Sequence, residues 1–175
     1  MITVDLKSLI AKLNNPCRQA LEAAAGLAVS RSHYNIEIEH WLLKLLDIRD
    51  SDIIACLANY GVEPGAVAAD LNRVLDKQKT GSSRAPGLSP EVVQWAREAW
   101  LLASLSGNAP IIRSGHLLAA LLGDDHLAAI AREASRSLGA IPGEALRNQL
   151  GKITAGSAEA GSVAAPSAAR DAATG

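Results

Sequence analysis

Apolar residues along most of this chain recur at helical spacing. Leu6, Leu9, Ile10 and Leu13 fall at i, i+3, i+4 and i+7 and predict a short amphipathic helix over residues 5–13, capped by Asp5. Asn15-Pro16 gives the next helix a cap and a first-turn proline, and that helix runs to about Arg31. Its apolar residues lie on two sides, Cys17, Leu21, Ala24 and Ala28 on one and Ala20, Ala23 and Leu27 on the other. Such a helix needs cover on two sides. A loop over residues 32–37 leads to a short helix from His40 to Leu46. Asp50-Ser51 caps a helix to about Tyr60, ended by Gly61, and Pro64 opens another to about Lys77. Residues 79–87, KTGSSRAPG, read as a linker. Ser89-Pro90-Glu91 starts a long helix to about Ser106, broken by residues 107–110. Ser114 caps a short helix ending at Gly123, Asp124-Asp125 starts one to about Leu138, and Pro142 opens a last one to about Ile153.

The pattern is written twice. His40-Trp41-Leu42-Leu43-Lys44-Leu45-Leu46 returns 76 positions later as His116-Leu117-Leu118-Ala119-Ala120-Leu121-Leu122. The same offset lays Cys17–Ala28 over Val93–Ser104 and Ile36 over Ile112 without a gap. Solenoid repeats are shorter, roughly 20–50 residues. The reading is all-α: a leading helix over 5–13, repeat one over 15–77 and repeat two over 89–153, four helices in each repeat. Shifted by 76, the leading helix lands on GSSRAPGLS, which is not helical, so it has no mate.

Composition adds limits. The 175 residues carry a net charge of −1, 49% hydrophobic residues and no phenylalanine, with alanine the commonest type. The balance excludes nucleic acid and an anionic membrane surface as expected partners. An alanine- and leucine-rich core favours closely packed helices. Without a leader or a long apolar run, a cytoplasmic protein is expected. Cys17 and Cys56 sit in apolar patterns and read as buried small hydrophobes. Residues 154–175, mostly Ala, Gly, Ser and Thr with a few others, read as a disordered linker. A monomer is expected for the isolated chain.

Candidate chemistry is sparse. His33, Glu37, Glu39 and His40 could be imagined as a metal cluster, but their spacing matches no usual ligand set. Closing the first turn of equivalent helices explains His40 and His116. Asp50, Asp52, Asp124 and Asp125 have a structural reason as acids at helix starts. Nucleotide and nucleophile motifs are missing, so no catalytic residue, cofactor or metal is expected. What remains is surface. The unpaired leading helix either packs down as an extra core element or forms, with the alanine-rich helix after it, a groove for an amphipathic partner helix.

Ala20-Leu21-Glu22 with Ala24, the Glu39–Leu46 box and the Gly115–Leu122 box resemble the Clp amino-terminal (Clp R) domain, the recruiting module of Clp/Hsp100 AAA+ unfoldases. The second box has Gly115 where the first has Glu39. Ala11-Lys12-Leu13-Asn14-Asn15-Pro16, His40-Trp41 and Asp50-Ser51-Asp52 make the likeness greatest to the ClpV-type members, which recycle the contractile sheath of type VI secretion. The resemblance covers about residues 3–153. It implies a binding module that takes a helix from the N-terminus of a sheath subunit, in a parent that is hexameric and uses ATP and magnesium elsewhere. Carried over by position, the groove residues are Leu6, Leu9, Ile10 and Leu13, with Ala20, Ala24, Leu27 and Ala28 from the neighbouring wall. The alternative is a stand-alone Clp N-domain acting as adaptor or regulator of another unfoldase.

Overall fold

Side-chain caps start four of the helices. Asn14 Oδ1 accepts from the Cys17 amide at 3.1 Å, Ser51 Oγ from Ile54 at 3.1 Å, Ser89 Oγ from Val92 at 3.2 Å and Asp124 Oδ2 from Leu127 at 3.0 Å. In this computed structural model, which describes residues 5–106 and 111–161, the helices are α1 (Leu6–Ala11), α2 (Asn15–Ser30), α3 (Ile38–Leu45), α4 (Asp52–Asn59), α5 (Pro64–Asp76), α6 (Pro90–Ser106), α7 (Ser114–Gly123), α8 (Asp125–Ala134) and α9 (Gly143–Ile153). The fold is all-α, with two two-residue strands, β1 (Asn35–Ile36) and β2 (Gly87–Leu88), paired in parallel.

Four expectations are corrected. Asn14, not Asn15, is the cap of α2. Ser114 is the first residue of α7 and not its cap, because its hydroxyl is engaged with other elements. The helix expected through Leu138 stops at Ala134: Ser135 is extended and donates to Asp70 on α5 at 2.7 Å, and a 3₁₀ turn (Arg136–Ala140) follows. The disordered linker expected from 154 is instead packed on the body as far as 161, with Thr154 and Glu159 buried. The rest of that segment, 162–175, and the break expected at 107–110 lie outside the described residues.

The copies interlock. Helix α4 of the first packs on α7 and α9 of the second, and α8 of the second reaches α3 and α5 of the first. The segment before each long helix crosses to the other copy. The Ser89 amide donates to Ile36 O at 3.1 Å, and the Asn14 amide donates at 2.9 Å to Ile112 O, the carbonyl 76 positions after Ile36. Trp41 and Trp95, both fully buried, meet at the junction with ring centroids 4.9 Å apart. Each indole satisfies its N–H on a backbone carbonyl, Cys17 O at 3.2 Å and Leu117 O at 2.7 Å. The result is one continuous core.

Candidate functional site

His40 and His116 close the first turns of equivalent helices. His40 Nδ1 accepts from the Glu37 amide at 2.8 Å, and His116 Nδ1 accepts from the Arg113 amide at 3.0 Å, the same first-turn closure in both copies. Because the Glu37 N–H can only donate, neutral His40 carries its proton on Nε2 and donates it to His33 Nδ1, 2.8 Å away. Burial pushes the His40 pKa down to about 4, helped by His33 and Arg31, and burial lowers His33 too. Among the described residues no group of three or more His, Cys, Asp or Glu could hold a metal ion.

The folded state therefore holds neutral rings that the unfolded chain would protonate near pH 6.5. This contribution is full above about pH 6.5 and is lost as pH falls towards 4, on the order of 3 kcal/mol for His40. Thermal unfolding followed from pH 7.5 to 4 is expected to show this acid slope in the wild type. It should be reduced in His40→Asn, whose amide oxygen can still accept from Glu37.

Of the acids at the helix starts, Asp52 is bound into a network. Asp52, 1% exposed, accepts from Arg113 Nε at 2.8 Å and Nη2 at 2.6 Å and from the Gly115 amide at 3.2 Å. A Cβ on Gly115 would stand 3.0 Å from the Asp52 carboxylate, which explains why the second box lacks the glutamate of the first. The hydrogen-bonded carboxylate raises the Arg113 pKa further. Cys17 and Cys56 are buried thiols as expected; burial raises both, Cys56 to about 12.

The eight groove residues divide. Leu9, Leu13, Ala20, Ala24 and Ala28 are core residues, Leu9 and Leu13 each 1% exposed. Leu6, Ile10 and Leu27 are half-buried. Helix α1 rests chiefly on α6 rather than along α2. The turn between α1 and α2 is drawn to the second copy: the Ile112 amide donates to Lys12 O at 2.7 Å, Leu13 bridges Ile112, and Lys12 Nζ lies 5.1 Å from the Trp100 ring centre. This backbone pairing, which side-chain periodicity does not encode, sets the direction of α1. The apolar edge that α1 leaves open is Leu6 and Ile10.

A second apolar surface was not foreseen. Leu101, Leu102 and Leu105 on α6 face Ala119, Ala120 and Gly123 of α7 across an open trench of about 460 Å³, and Leu105 is 83% exposed. Leu101 and Leu105, four apart and off the core face of Trp95 and Ala99, are the signal that could have found it.

An interlocked pair of helical units carrying open apolar surface, one of them edged by an extra leading helix, defines a protein-binding domain. Residues 12–134 match the Clp repeat (R) N-terminal domain, and the chain belongs to that family. It is 30% identical over 122 residues to the AAA+ ATPase ClpV1 of Pseudomonas aeruginosa, a match covering 70% of this chain and 14% of that ATPase. The N-domain of ClpV from Vibrio cholerae superposes with a TM-score of 0.76 at 32% identity, covering 91% of this chain and 95% of that one. A complex of a ClpV N-domain with VipB peptide gives 0.74 at 30% identity, covering 91% and 97%. Among the described residues no helix is long and apolar enough to cross a membrane.

Proposed function

We propose that this chain is the substrate-recruiting domain of a ClpV-type AAA+ unfoldase, and that it takes up an amphipathic helix from the N-terminus of a type VI sheath subunit. It works in the cytoplasm by binding alone, with ATP, magnesium and all catalysis belonging to ATPase domains of the parent. The observation that carries the reading is the fit of nearly the whole fold onto a ClpV N-domain that is found with a peptide. The docking edge is α1, where Leu6 and Ile10 are half-buried although Leu9 and Leu13 already close the core beneath them.

Each half-buried side chain has about 1 kcal/mol of burial left to gain, so losing one anchor costs several-fold in affinity and a charge there costs more. Calorimetric titration with a sheath N-terminal peptide is expected to show Leu6→Asp and Ile10→Asp each weakened at least ten-fold, with thermal midpoints close to wild type. Unchanged affinity in both folded variants would remove α1 from the docking edge, and weakening by Leu101→Asp instead would move the site to the α6–α7 trench.

A further inference from the structure

Residues 154–161 bury almost nothing apolar and are nevertheless fixed. Thr154 and Glu159 are buried, while Ala155, Gly156, Ala158, Ala160 and Gly161 are exposed. Polar contacts hold the segment. The Ala158 amide donates to Asp50 O at 2.7 Å, Ser157 Oγ to Asp52 Oδ1 at 2.5 Å, and Arg113 Nη2 to Thr154 O at 3.3 Å.

Glu159, 1% exposed, is the centre of this attachment. Its carboxylate accepts from Asn14 Nδ2 at 2.9 Å, the Ser114 amide at 2.8 Å, the Asp52 amide at 2.7 Å and the Ser114 hydroxyl. Those donors stand at the starts of α2, α7 and α4, where the helix dipoles are positive and a negative charge is favoured. One carboxylate thus joins three helix ends.

Asn14 makes the arrangement more than a structural tie. It is the joint between α1 and α2: its Oδ1 caps α2, its amide donates to Ile112 O, and its Nδ2 is held by Glu159. Leu13, just before it, is a core residue. A segment held by hydrogen bonds over an otherwise complete core can open locally without opening the whole domain. When it opens, Asn14 loses the Nδ2 bond to Glu159 and keeps the cap bond through Oδ1, so its side chain is held less tightly at the joint.

Resting on the peptide-recruiting reading above, we infer that residues 154–161 form a strap, latched by Glu159, that couples the exit of the chain to the seating of α1 and so to peptide affinity. A closed strap holds α1 in its binding position, and a pull on the residues that follow releases it. By linkage, bound peptide strengthens the latch by the same factor that the latch strengthens binding.

The test uses the full chain with Glu159→Ala, and Ala158→Pro, which removes the amide bonded to Asp50 while leaving the carboxylate in place. Amide hydrogen exchange is followed without peptide, and a sheath N-terminal peptide is titrated separately. In the wild type the strap and Leu9, Leu13 and Asn14 are expected to exchange through an opening of lower free energy than Trp41 and Leu118. Both variants are expected to speed exchange at the strap and at Leu9, Leu13 and Asn14 at least ten-fold and to weaken the peptide five-fold or more. Faster strap exchange with Leu9, Leu13 and Asn14 unchanged overturns the coupling. Wild-type exchange of the strap at the same free energy as Trp41 and Leu118 also overturns it, because the segment would then be part of the cooperative core. Wild-type chain that shows the expected exchange but binds no peptide removes the recruiting reading and, with it, the link from latch to affinity.

Discussion

Asp52→Ala is expected to lower the stability of the domain by about 3–5 kcal/mol, as breaking a buried ion pair does. The loss is not confined to one bond. Arg113, whose side chain is only 19% exposed, would lose its carboxylate partner, and the Gly115 amide and Ser157 hydroxyl would lose theirs. Small domains have about 5–15 kcal/mol in all, so this is a large share. Urea unfolding checks it as a fall in the midpoint at constant slope. Asp52→Asn is expected to lie between wild type and Asp52→Ala, because an amide keeps the shape and some of the hydrogen bonds without the charge. A change below about 1 kcal/mol in Asp52→Ala would mean that water replaces the network at little cost.

The second large effect separates the two faces of α1. Leu9→Asp is expected to unfold the domain, or leave it with little stability. Leu9 is 1% exposed, and removing a buried leucine alone costs about 2–5 kcal/mol before any penalty for the buried charge. Leu6→Asp, one turn earlier and half-buried, should remain folded. Circular dichroism melting of the pair distinguishes them directly. A stable Leu9→Asp protein would mean that α1 lifts off the domain without disturbing what lies beneath.

Most helices were legible because their reasons are local. The Ser51, Ser89 and Asp124 caps, Pro64 and Gly61, which takes φ +68°, each mark an element end within a few residues of sequence. What was not legible rests on pairs far apart in the chain. Glu159 lies in a stretch of small residues with no pattern of its own, and its partner Asn14 is 145 positions away. Ser135 ends α8 because it meets Asp70 across 65 residues. In the leading helix, periodicity found Leu6, Leu9 and Ile10, but α1 ends at Ala11 and Leu13 lies beyond it, bridged to Ile112. Periodicity could not say that the face is divided between core and edge, because the pairing of Lys12 and Leu13 with Ile112 decides that.

The central claim is that α1 presents a docking edge for a partner helix, and a map of amide shifts tests it most directly. Isotope-labelled full-length chain is titrated with a sheath N-terminal peptide, and perturbed amides are located on the fold. The account predicts saturable shifts centred on Leu6 and Ile10 and on the part of α6 beneath α1, around Trp100. Shifts confined to Leu101–Leu105 and Ala119–Gly123, or none at millimolar peptide, would contradict it.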